Sequence, residues 1–93
     1  MVIGALTLDL MVYESRSLKE KRRAIQSIKS MLRSRFEVSV AETDHANSHK
    51  RCTLGVAMVS TDQRVIHGRF DKIVDFVRTK GTVSLLSYER ELF

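Results

Sequence analysis

The residues of this 93-residue sequence able to do chemistry fall into three groups, and the first is basic. Between Arg16 and Arg35 stand eight basic residues and one acid, Glu20, so this stretch carries +7 while the whole chain carries +5. At about 100° per residue, Arg22, Lys29 and Arg33 fall along one line of a helix, with Lys19 and Gln26 beside them. Arg23, Ser30 and Ser34 extend the same polar face, and Arg16 precedes it. A cationic stripe of this kind can reach successive phosphates of a nucleic acid, a contact that ignores sequence and weakens with salt. The bland alternative is a lysine-rich face that meets only water.

The second group is Asp44, His45, His49 and Cys52. Zinc uses these donors, but its usual signatures pair two close ligands with two distant ones. The only other histidine, His67, falls on the outer face of a helix, so no metal and no cofactor is expected. Cys52 reads as a small buried hydrophobe. The third group is Asp71 and Asp75, one helical turn apart beside Lys72 and Arg78, which describes a solvated surface and not a shielded acid–base pair. There is no Gly-x-Ser-x-Gly, no Cys–His pairing at a helix start and no glycine-rich phosphate loop. The sequence therefore points to a binding protein and not to an enzyme.

The elements that must position these residues follow from periodicity. Val2 to Val12 alternates, with Val2, Gly4, Leu6, Leu8, Leu10 and Val12 on one face, which predicts a half-buried strand. After a turn at 13–16, Ser17-Leu18-Lys19-Glu20 reads as a capping box. Leu18, Ile25, Ile28 and Leu32 follow at helical spacing, and the helix is expected to end near Arg35. Lys21 lies on that apolar stripe and must either extend past the end of the sheet to water, the course expected of a first-turn lysine, or pair with a carboxylate. Phe36 to Ala41 alternates as a second strand, Thr43 to Lys50 is a polar loop, and Arg51 to Ser60 is a third strand. Ile66, Phe70, Ile73, Val74 and Val77 mark a second helix ended by Lys80-Gly81, and Val83 to Leu92 is the last strand.

The order βαββαβ predicts a single ferredoxin-like α+β domain over 1–93, with a four-stranded antiparallel sheet and both helices on one face. The open face would carry Ala5, Thr7, Ser39, Ala41, Gly55 and Ala57, with Asp9 and Glu37 near its edges. It lacks the aromatics on which RNA-recognition motifs stack bases. Its small residues would let a second copy pack against it, so a homodimer through this face is expected. One cysteine fits a reducing compartment. Asp9 interrupts the N-terminal apolar run, and no stretch reaches the roughly 18–20 apolar residues needed to span a bilayer. A cytoplasmic protein without membrane contact is expected.

Three stretches carry a family resemblance: Ser17-Leu18-Lys19-Glu20-Lys21-Arg22-Arg23, Arg35 to Glu42 (RFEVSVAE), and Thr53-Leu54-Gly55-Val56-Ala57 with Val59-Ser60. With the closing Leu85 to Glu91 (LLSYERE), they resemble the YlxP-like family of small bacterial proteins. The resemblance implies a ferredoxin-like fold and a gene neighbourhood shared with translation initiation and ribosome-maturation factors, hence a link to RNA or the ribosome. It implies no catalytic residue. His49 stands where such proteins usually have an aromatic, typically tryptophan.

The expected function is a non-enzymatic protein that binds RNA or a ribosomal particle through Arg16, Lys19, Arg22, Arg23, Lys29 and Arg33. The alternative is a dimeric regulatory or interaction module that binds a small molecule or protein. Acylphosphatase-like hydrolysis ranks below both. It needs a phosphate-cradling first loop and an asparagine on a sheet strand, and the turn Tyr13 to Ser17 supplies only Arg16.

Overall fold

In the computed structural model, which describes residues 1–93, period-two alternation builds β1 (Val2–Val12), with Leu6, Leu8, Leu10 and Val12 buried on one face. The capping box then starts α1 (Leu18–Phe36). The Ser17 hydroxyl accepts from the Glu20 N–H at 3.1 Å, and the Glu20 carboxylate accepts from the Arg16 N–H at 2.6 Å. The box thus closes on the residue before the N-cap. β2 (Ser39–Asp44), β3 (Arg51–Ser60), α2 (Gln63–Arg78) and β4 (Val83–Leu92) complete the order βαββαβ.

The sheet order is β2-β3-β1-β4, and every neighbouring pair is antiparallel. This is the ferredoxin-like arrangement. The inward residues of the strands and the apolar stripes of both helices form one buried cluster, so the helices share one core on one side of the sheet. α2 packs closely over β1 at Gly4. A methyl group there would collide with Ile66 Cγ2 and stand 3.0 Å from Phe70 Cζ, which is why only glycine fits. No helix is long and apolar enough to cross a membrane.

Two expectations fail here for physical reasons. The second strand does not begin at Phe36. The helix continues through that residue and stops at Glu37, a left-handed cap with φ 53° whose N–H reaches the Arg33 carbonyl at 3.2 Å. The Phe36 ring packs edge-on against Phe76, centroids 5.6 Å apart, and the Arg35 guanidinium lies over the same ring at 5.1 Å. Tertiary packing on α2 therefore holds the last turn helical, and a glutamate stands where a glycine is the usual residue. As a result β2 is displaced toward the C-terminus and runs on to Asp44, with a register shift between Glu42 and Asp44.

The second failure concerns the open face. Asp9 sits not at its edge but on the central strand β1, half-buried, where the Thr53 hydroxyl donates to it at 2.7 Å and the Ser87 hydroxyl at 3.2 Å. Those hydroxyls replace the water that a carboxylate needs, so the charge is tolerated away from the rim. Glu89 and Glu91 pair with Thr7 and Ala5 and stand on the same face. The small residues anticipated there are present, but an acidic strip runs beside them.

Candidate nucleic-acid interface

The candidate site begins with a lysine that faces inward. Lys21, in the first turns of α1, is 1% exposed. Its ammonium donates to the His45 carbonyl at 2.6 Å and lies 2.8 Å from Glu42 Oε2, as an ionic contact without hydrogen-bond alignment. It does not extend to water, the course favoured from sequence, but takes the other one left open, a carboxylate partner. Because β2 continues past Ala41, Glu42 comes to lie beneath the start of α1 and closes that end of the helix layer. His45, with φ 64°, also accepts from the Ser48 N–H at 3.0 Å, so the loop wraps over the same ammonium.

Burial alone would raise the Glu42 carboxyl. The Lys21 ammonium, the neighbouring Cys52 thiol and Lys29 outweigh that effect and hold it below its ordinary value of 4.5. The Cys52 thiol moves the other way. Burial and the adjacent Glu42 carboxylate push it up to about 12, so it stays protonated at neutral pH and lacks the thiolate that nucleophiles and metal ligands require.

Outside this pair, α1 and the rim of β2 enclose a groove of about 610 Å³ lined by Lys19, Arg22, Arg23, Ile25, Gln26, Lys29 and Glu42. Four of the six cations named from sequence meet here. The chain has three ion pairs, Lys21–Glu42, Arg64–Asp62 and Arg90–Asp71, and a His45–Asp44 contact at 3.9 Å, and none includes a groove-lining cation. Glu42, the one acid of the lining, is already held by Lys21. The groove is therefore electropositive and available.

The other two sequence-named cations lie elsewhere. Arg33 turns to the sheet edge, where its Nη2 donates to the Val40 carbonyl at 2.7 Å. Arg16 sits in the β1–α1 turn with Tyr13, Glu14, Ser15 and Lys50. Asp44, His45, His49 and Cys52, weighed as metal donors from sequence, do not converge, since no three His, Cys, Asp or Glu residues stand close enough to hold an ion. Asp71 and Asp75 are both exposed, as the sequence predicts, and Asp71 takes Arg90 at 2.8 Å across to β4.

Sequence reading confined the basic surface to α1 and missed a second cleft. Between the C-terminal end of α1 and α2 lies a space of about 580 Å³ lined by Arg35, Phe36, Arg64, Val65, Gly68, Arg69 and Lys72. The available signal was the spacing of Arg64, Gly68 and Lys72, which places them on one face of α2.

A family model described as "Protein of unknown function (DUF503)" matches residues 3–90. Uncharacterized protein YlxP of Bacillus subtilis (strain 168) is 26% identical over 76 residues, spanning 82% of this chain and 83% of that protein. A structural-genomics structure of protein YJCS superposes with TM-score 0.59 at 11% identity, over 96% of each chain, a likeness that shows the fold alone. A dimeric protein of unknown function and ferredoxin-like fold from Bacteroides fragilis NCTC 9343 gives TM-score 0.43 at 12% identity, over 99% of this chain and 94% of that one.

The buried pair makes a direct prediction. Glu42→Leu leaves the Lys21 charge buried with only the His45 carbonyl, and should cost about 3 kcal/mol of unfolding free energy in urea. Lys21→Met should cost less, because Glu42 retains 20% exposure. The double variant should recover most of the loss, since an apolar pair removes both charges. Glu42 titrates lower folded than unfolded, so its contribution is complete above pH 4.5 and is lost as pH falls below that value. The double variant should lack this acid dependence. Additive single-variant losses would show that the two side chains are not coupled.

Proposed function

The chain belongs to the DUF503 family of proteins of unknown function, and within that family we propose that it is a non-enzymatic RNA-binding protein whose α1–β2 groove engages backbone phosphates. The observation that carries this reading is the convergence of Lys19, Arg22, Arg23 and Lys29 on one groove with no acid partner left free. Cations arranged along a groove suit a polyanion whose charges repeat along its length. The groove calls for RNA backbone phosphates, and a ribosomal particle as their source is what the family resemblance implies. Catalysis has less support: the one thiol stays protonated, and Asp71 is held by Arg90.

A second reading keeps a homodimer. Ile3, Val59 and Phe93 stand exposed beside one another at one end of the open sheet face, joined by the Ile3–Val59 register pair and by two hydrogen bonds between Ile3 and Phe93. That row favours a second copy there, at the end of the sheet where the acidic strip of Asp9, Glu89 and Glu91 stops. A monomer by light scattering at tens of micromolar would remove this reading.

The groove is tested with Arg22→Gln/Lys29→Gln, which keeps good helix formers and leaves Arg33 on its strand. Binding to an RNA hairpin with a single-stranded tail, followed by anisotropy, should weaken. The log–log salt slope should flatten by between about 0.7 and 0.9 per lost phosphate contact. A parent chain that fails to bind the hairpin at low ionic strength would contradict the proposal.

A further inference from the structure

The outermost line of α1 carries Lys19 and Arg23 over its first turns and only serines beyond them. Taking Lys21, Ile25, Ile28 and Leu32 as the buried line, about 180° around the helix lie Ser27, Ser30 and Ser34. All three are exposed, and only Ser34 has a hydrogen bond, to the Met31 carbonyl at 3.3 Å. The helix therefore presents a low ridge topped by short hydroxyls. Its β2 side carries the groove of Lys19, Arg22 and Lys29, and the far side, at the C-terminal end, opens into the second cleft.

That cleft holds cations not otherwise bound. Arg64 is tied to Asp62 through both carboxylate oxygens, but Arg69 and Lys72 belong to no ion pair. Nothing lies within 4 Å of where a Cβ on Gly68 would stand, so the cleft is open at that point. Asp71 on α2 is turned to Arg90, and Glu37, which shares a neighbouring cavity with Arg69, forms no ion pair with it.

From this geometry, and resting on the RNA reading above, we infer that the ligand is double-stranded RNA, with the serine ridge of α1 in its minor groove and the two cationic clefts on the phosphate strands that border it. The minor groove of A-form RNA is wide and shallow and displays 2′-hydroxyls, which short serine hydroxyls can meet. The two clefts are offset along α1, so the duplex crosses the helix obliquely. B-form DNA fits less well. Its minor groove is only about 6 Å wide, while a helix with side chains measures about 10–12 Å. In its major groove, serines are too short to use the long bidentate contacts that read bases. A single strand would need one phosphate track and exposed aromatics for stacking. Phe36, the only aromatic of either cleft, is half-buried against Phe76.

The test measures anisotropy on the full chain with three probes: an RNA duplex of about 16 base pairs, the same sequence as a DNA duplex, and one RNA strand alone. The RNA duplex should bind most tightly. Arg69→Gln/Lys72→Gln should weaken it about tenfold and flatten its salt slope by about two. Ser27→Ala/Ser30→Ala/Ser34→Ala keeps the helix, alanine being the better helix former, and should move the RNA-over-DNA affinity ratio toward one. A preference for the single strand, equal affinity for RNA and DNA duplexes, or no response to the Arg69/Lys72 variant would each overturn this inference and leave the α1–β2 groove standing. Failure of the parent chain to bind any probe would overturn both.

Discussion

The placement of α1 depends on one buried charge. Lys21 lies on the apolar stripe of the helix, where an unpaired ammonium would be too costly to keep, and Glu42 with the His45 carbonyl makes it tolerable. The pair joins the first turns of α1 to the far end of β2 and to the loop that follows. It thereby fixes how the helix is rotated on the sheet. With Lys21 turned in, Arg22 and Lys29 must turn toward the groove, while Arg23, which reaches its rim, and the serine line turn outward. The pair's worth lies in specifying that rotation, because an apolar replacement could match its stability.

The other basic residues of α1 divide the remaining work. Arg33 covers the Val40 carbonyl on the outer edge of β2, which blunts an edge strand that would otherwise be open to pairing. Arg35 lies over Phe76 and helps to hold the last helical turn. One run of cations in the sequence thus serves the core, the sheet edge, the helix terminus and the groove. Charge counting alone could not separate these roles, since each is decided by a partner far along the chain.

What was legible in the sequence is what repeats. Alternation gave β1 and β3, helical spacing gave both helices, and their order gave the ferredoxin-like topology, because each pattern is local and strong. Four of the six proposed contact residues share one groove for the same reason: they lie on one face of one helix. The start of β2 was not legible, because Glu37 takes a left-handed cap without glycine and Phe36 stays helical through its contact with Phe76. That displacement hid the partner of Lys21, since a strand ending at Ala41 leaves Glu42 in a loop. Asp9 was misplaced because its solvation by Thr53 and Ser87 depends on cross-strand register.

The most direct test of the account is where RNA touches the chain. In an NMR titration of the nitrogen-15-labelled protein with an RNA hairpin, amide shifts should concentrate on α1 between Lys19 and Arg33. The open-face residues Ala5, Thr7 and Ala57 should stay in place. Shifts centred on those sheet residues, with α1 unmoved, would contradict it.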